Sequence, residues 1–207
     1  MTLTDDLFSA NQGLEPLPLP DAEVYYMRQF LAAETACTVL RQLIAEVPWR
    51  AENIVVWGKS VPQPWLIAWC GDFGQTHTYS GLHLSAIPWT PTLLDLKSRV
   101  AAADGTDFNS VLLNYYRDHR DSMGLHSDDE PELGPRPLIA SVSVGEARTV
   151  IFTHKTDKAL KPLRLTLGSG RLLVMKGATQ QYWKHGIAQS PRPRGSGVNL
   201  TFRRIQS

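Results

Sequence analysis

Gly197-Val198-Asn199-Leu200-Thr201-Phe202-Arg203 alternates at every step. Val198, Leu200 and Phe202 fall on one side, and Gly197, Asn199, Thr201 and Arg203 on the other. A period of two is that of a β-strand with one buried face. The apolar side belongs to a core, so the row of Asn, Thr and Arg faces either solvent or a polar cavity.

Working back along the chain, similar short runs occupy 171–175, 163–167, 149–153, 138–144 and 110–116. Gly, Pro and charge clusters such as Asp128 to Pro137 and Ser190 to Gly197 separate them. Many short strands at this spacing predict an all-β sandwich or barrel. Before residue 109 the pattern differs. Glu23 to Phe30 has strand-like content. Ala32 to Val47 places Ala36, Val39, Leu40, Leu43 and Ile44 at helical spacing. Pro91 to Ala103 does the same with Leu93, Leu96, Val100 and Ala103, with Thr90 as N-cap, Pro91 just inside the start and Gly105 just past the end. The expected fold is mainly β with flanking helices. Its core is a double-stranded β-helix (jelly-roll) over about 109–205, an architecture that closes a cavity between two sheets. Residues 1–22, ending in the run Pro16, Pro18 and Pro20, read as a loose N-terminal arm before one domain at 23–207.

Composition narrows the function classes. With 207 residues, 43% hydrophobic and 20% charged, the chain is long enough for a sizeable core. A net charge of +1 gives no global basic field for nucleic acid. No apolar run approaches the ~18–20 residues that span a bilayer. Cys37 and Cys70 form no motif and, without a signal peptide, point to a reduced, cytoplasmic setting. A monomer is expected.

The chemistry lies in a second set of residues. A mononuclear non-haem iron site takes two His and one carboxylate on one face of the metal. His126 and Asp128, two apart, point the same way on a strand or its exit. His119 and Asp121 have the same spacing, but the charged run Arg117-Asp118-His119-Arg120 reads as a solvated loop. The strand entry Met123-Gly124-Leu125 favours His126. A third ligand must come from a distant strand, and His185, between Tyr182-Trp183-Lys184 and Gly186, is the candidate. Asn114 and Tyr116 form a further i, i+2 polar pair. With Arg203 as anchor, such groups suit an oxo-dicarboxylic acid.

Taken in order, Leu113-Asn114-Tyr115-Tyr116, His126-Ser127-Asp128-Asp129-Glu130, Ile139-Ala140-Ser141-Val142-Ser143 and Val198-Asn199-Leu200-Thr201-Phe202-Arg203 resemble the AlkB family of Fe(II)- and 2-oxoglutarate-dependent dioxygenases, its nucleic-acid demethylases in particular. Trp57-Gly58-Lys59 and Gly71-Asp72 also look like family segments, and the resemblance covers roughly 50–205. It implies Fe(II) on His126, Asp128 and His185, with 2-oxoglutarate on Asn114, Tyr116, Asn199, Thr201 and Arg203 and O2 as oxidant. It implies substrate contacts at Trp57, Lys59, Cys70, Asp72, Asp129 and Glu130. The reaction it implies is oxidative demethylation of N-alkylated bases in DNA, single- or double-stranded, of the 1-methyladenine and 3-methylcytosine type. Decarboxylation of 2-oxoglutarate is coupled there to methyl hydroxylation and formaldehyde release.

Two positions depart from the family pattern. Gly197 stands where a second arginine is usual, six residues before Arg203, and Arg194 is the nearest replacement in sequence. Cys70 stands where an aromatic residue is typical. Alternatives stay open at this point: the same chemistry on RNA, protein or a small molecule, or a nucleic-acid-binding protein with a weakened cosubstrate site.

Overall fold

The computed structural model describes residues 2–3, 13–56, 59–72, 77–79, 82–84 and 86–206. In chain order the elements are β1 (Thr2–Leu3), β2 (Glu15–Pro16), β3 (Glu23–Met27), α1 (Ala33–Glu46), β4 (Asn53–Val56), β5 (Lys59–Pro62), β6 (Leu66–Gly71), β7 (His77–Tyr79), β8 (Leu82–Leu84) and α2 (Pro91–Asp104). Then follow β9 (Ser110–Tyr116), β10 (Met123–His126), a 3-10 turn (Pro131–Leu133), β11 (Ile139–Gly145), β12 (Arg148–His154), β13 (Leu163–Leu167), β14 (Arg171–Lys176), α3 (Thr179–Tyr182), β15 (Trp183–Ile187) and β16 (Gly197–Arg203).

Two sheets make the body. The larger runs β2-β3-β14-β11-β16-β9-β6 and the smaller β1-β13-β12-β15-β10, with β4-β5 and β7-β8 as separate hairpins. All pairings are antiparallel except β1 with β13. This is the mainly β, jelly-roll-like arrangement expected from the strand spacing, and the strands at 110–116 and 163–167 begin and end where the sequence pattern places them.

Both faces of the larger sheet are covered, and β16 reads out how. Val198, Leu200 and Phe202 pack outward with Ala36, Val39 and Leu43 of α1 and Leu93, Leu96 and Val100 of α2. Asn199, Thr201 and Arg203 point the other way, into the space between the sheets. Helix α2 starts as its sequence specifies. Thr90 Oγ1 accepts a hydrogen bond from Leu93 N at 3.3 Å, and Gly105 ends the helix in the left-handed region at φ 75°. That satisfies one orphan amide and gives the chain a reversal that non-glycine residues resist. A second core, with Phe152, Leu163, Leu165, Leu173, Met175 and Trp183, fills the space between the sheets on either side of the polar cavity.

The segment expected as a loose arm is tied down at its C-terminal end. Glu15 and Pro16 pair with Tyr26 and Tyr25, Leu17 N donates to Val24 O at 2.8 Å, and Trp183 Nε1 donates to Pro20 O at 2.8 Å. Proline is compatible with this edge position because an edge strand leaves one row of amides unpaired.

Candidate metal and cosubstrate site

The two histidines meet because their strands pair. β10 is the edge of the smaller sheet, β15 is its neighbour, and His126 stands opposite His185 in the register. Their ring centroids are 4.4 Å apart. The chain then leaves the sheet, and Asp128 turns under both rings: His126 Nε2 lies 3.7 Å from Oδ1 and His185 Nε2 lies 3.7 Å from Oδ2. One ligand atom from each of the three residues lies within 4.8 Å of the others. The turn is held by its own contacts. Gln180 Oε1 accepts from Asp128 N at 3.0 Å, and Ser127 Oγ donates to Trp183 O at 3.0 Å. His126 Nδ1 donates to Gly124 O at 3.0 Å, which directs its Nε2 lone pair toward the cluster.

Electrostatics favours the protonation state that a metal needs. Burial lowers the His185 pKa to about 3, with His126 and Arg203 adding and Asp128 opposing, so the imidazole is neutral near pH 7. For Asp128 burial, the largest influence, pushes upward. The charges of Arg203, His185 and His126 and the Arg203 hydrogen bond together outweigh it and leave the carboxyl at about 2.

Gly186 sets how closely β10 and β15 approach. A Cβ there would sit 2.8 Å from the carbonyl oxygens of Met123 and Gly124, closer than real contacts allow. Gly186→Ala is therefore expected to push the edge strand away and part His126 from His185. Metal affinity should fall roughly 10–100-fold, the range for loss of a ligand-orienting contact. A metal titration of the variant against wild type checks this, and an unchanged affinity would mean the strand spacing has slack.

The cluster opens into a space of about 510 Å³, its open mouth included. Asn114, Tyr116, Ser141, Asn199, Thr201 and Arg203 line it together with the three ligands. Arg203 Nη2 donates to Asp128 Oδ1 at 2.7 Å, while its Nε and Nη1 are buried with no partner among the described residues. A buried guanidinium with two unused donors beside three ligand side chains fits an anionic cosubstrate bound next to a metal. Trp65 Nε1 donates to Asn114 Oδ1 at 2.9 Å, which leaves the amide NH2 of Asn114 to offer the cavity.

Asn199 lines the cavity with its amide already engaged. Its Nδ2 donates to Ser141 Oγ at 2.7 Å and Ser143 Oγ at 3.2 Å, and its Oδ1 accepts from Thr201 Oγ1 at 3.1 Å. Its amide therefore fastens β16 to β11. The hydroxyl of Ser141, to which sequence reasoning gave no role, lines the cavity beside it. Two consecutive inward positions of β11 filled by serine were the available signal.

The outer residues divide. Glu130 has a buried Oε2 without a partner, and its pKa is raised, by burial above all and also by Asp128, against the pull of Arg203. Asp129 is exposed, with Lys155 Nζ 3.4 Å away. Asp72 takes a hydrogen bond from Trp89 Nε1 at 2.7 Å and lies 3.6 Å from Lys97. Cys70 is a correction. It is fully buried in the outer core with Val111, Leu96 and Phe202, on the helix side of the larger sheet, and burial with Asp72 pushes its thiol up to about 12. Among the described residues it lines neither the metal cavity nor the one beside it. Trp57 and the side chain of Lys59 lie outside the described residues. His119 does not join the cluster, and its neighbour Asp121 is taken up by Arg117 through contacts of 2.8, 3.0 and 3.1 Å. Arg194 is committed to Glu146 Oε1 at 3.2 Å and Ser190 Oγ at 3.3 Å, outside the cavity lining.

Comparison with known proteins agrees with this geometry. The model of the 2OG-Fe(II) oxygenase superfamily matches residues 23–203. The alpha-ketoglutarate-dependent dioxygenase alkB homolog 3 of Mus musculus is 39% identical over 184 residues, covering 85% of this chain and 64% of that protein. The DNA oxidative demethylase ALKBH2 of Mus musculus is 40% identical over 176 residues, covering 81% of this chain and 74% of that protein. The chain thus spans just under two thirds of the alkB homolog 3 relative. The solved structure of OsALKBH1 superposes with a TM-score of 0.63 at 18% identity, covering 93% of this chain and all of that one, a likeness of fold.

Proposed function

We infer, from a chain that belongs to the AlkB family within the 2OG-Fe(II) oxygenase superfamily, that it oxidatively removes N-methyl groups from DNA bases of the 1-methyladenine and 3-methylcytosine type. The observation that carries this reading is one cavity where His126, Asp128 and His185 meet a buried arginine with two donors to spare. Iron and 2-oxoglutarate, with O2, supply the oxidation of a methyl C–H bond, after which the hydroxylated group leaves as formaldehyde.

The residues of the chain do the rest. His126, Asp128 and His185 hold the metal, and Arg203, Asn114, Tyr116 and Ser141 orient the cosubstrate through the groups they turn to the cavity. Asn199 fastens β16 to β11, and Thr201 holds the Asn199 amide in place. Glu130, with a buried oxygen that has no partner among the described residues and a carboxyl that feels Arg203 and Asp128, would meet polar atoms of a base. A base inside a duplex cannot reach such a cavity, so it enters flipped out or from a single strand. DNA as substrate draws support from the relative named as a DNA oxidative demethylase.

The test is formaldehyde and succinate release with Fe(II), 2-oxoglutarate and oligonucleotides carrying one 1-methyladenine. We expect both products with DNA. Turnover with methylated RNA alone would sink the DNA assignment, and no iron-dependent turnover with any of them would sink the enzyme reading.

A further inference from the structure

We propose that Arg148 of β12 is the anchor for the distal carboxylate of the cosubstrate, taking the part that the usual arginine of β16 has vacated at Gly197. This rests on the reading above that the cavity seats 2-oxoglutarate beside the metal.

Gly197 is the register partner of Tyr116 on β9. The Arg148 guanidinium lies over the Tyr116 ring, 5.6 Å from its centroid, and its Nη2 donates to Gly195 O at 2.9 Å. Arg148 thus reaches from the smaller sheet to the start of β16, over the residue that Gly197 faces. A side chain at 197 is crowded: its Cβ would lie 3.0 Å from Glu146 O, in the turn after β11, and 3.4 Å from Val144 O of β11. The cation has moved to the facing strand.

Arg148 is also unfinished. It is 7% exposed, and its Nε and Nη1 are buried without a partner among the described residues. A buried cation with unused donors is costly unless an anion meets it. Burial lowers its pKa, with Arg194 adding and Tyr116, Asp121 and Glu146 offsetting only part of it.

The last element is continuity. A second cavity, lined by Arg148, Gly197 and Ser143, shares Tyr116, Val150, Leu167, Ile187 and Asn199 with the metal cavity. The two cavities adjoin at these five residues, with the metal ligands on one side and Arg148 on the other. A ligand with an oxo-acid head and a second carboxylate on a short chain suits both sides.

Calorimetric titration of Mn(II)-loaded protein, which binds without turning over, tests this with 2-oxoglutarate and with 2-oxovalerate, the same chain without the distal carboxylate. Wild type should prefer 2-oxoglutarate. Arg148→Met should weaken 2-oxoglutarate by about 10- to 100-fold, the worth of a charge-assisted hydrogen bond, and leave 2-oxovalerate within about twofold. Arg148→Gln, which still hydrogen-bonds Gly195 O, should lose the same preference, and Arg148→Lys should keep part of it. Arg194→Met should change neither ligand. Equal weakening of both ligands would make Arg148 a structural residue and overturn the proposal, as would unchanged 2-oxoglutarate binding or an effect confined to Arg194. Wild type that binds neither acid would overturn the cosubstrate reading beneath it.

Discussion

Asp128→Ala is expected to abolish metal binding and to destabilise the metal-free protein by about 3–5 kcal/mol, the cost of stripping a buried charge of its partner. Asp128 and Arg203 have side chains 1% and 4% exposed and are joined at 2.7 Å. Without the carboxylate the guanidinium stays in place with Nε and Nη1 already unpaired. The pH dependence has a definite sign. The Asp128 carboxyl sits at about 2 in the folded protein and at ~3.9 unfolded. A depressed carboxyl contributes stability that is fully present above the unfolded value and lost as pH falls through the folded one. The gap between wild type and variant should therefore be widest near pH 6 and narrow from about pH 4 to pH 2. Denaturant titrations across that range measure it. The double variant Asp128→Ala/Arg203→Met removes both charges and should regain most of the lost stability while binding no metal. A single variant as stable as wild type would sink the buried-pair account, and metal binding by the double variant would sink the ligand assignment.

How much of this was legible depended on whether a residue's face is set locally. The alternation of β16 is local, and the polar row at Asn199, Thr201 and Arg203 is where the pattern puts it. The Thr90 cap and the Gly105 terminus of α2 are equally local. Cys70 is different. Its face is fixed by pairing with Val111, which packs under the helices, and that register belongs to the sheet. The family resemblance suggested a binding residue; the strand's parity places it in the core. Arg148 was legible in part. In Arg148, Val150, Phe152 and His154 every second residue of β12 is buried, so an arginine shares parity with a core. What makes it informative is Gly197 on the opposite sheet, about 50 residues on, and only the closed sandwich brings the two together. Asn199 shows the converse. The correct face was read, but Ser141 and Ser143, which consume its donors, come from a strand whose register no pattern in β16 encodes.

His126→Ala should remove metal binding and activity, whereas His119→Ala should leave both within about twofold, although both histidines begin an H-x-D. Spacing cannot separate them; pairing does. His126 lies opposite His185 with its Nδ1 held by Gly124 O, and Asp128 faces both Nε2 atoms at 3.7 Å. His119 sits on a turn where its carbonyl accepts from Ser190 N, and the carboxylate two residues on is bound by Arg117. Its Asp121 is thus already spent on closing the loop. Losing an outer contact to a metal-bound His costs 10–100-fold in affinity, so losing one ligand of three should cost more than that. Metal titrations of the two variants, with thermal melts to confirm folding, make the comparison. Strong metal binding by His126→Ala, or its loss in His119→Ala, would move the centre to the other motif and take the Asp128–His185 assignment with it.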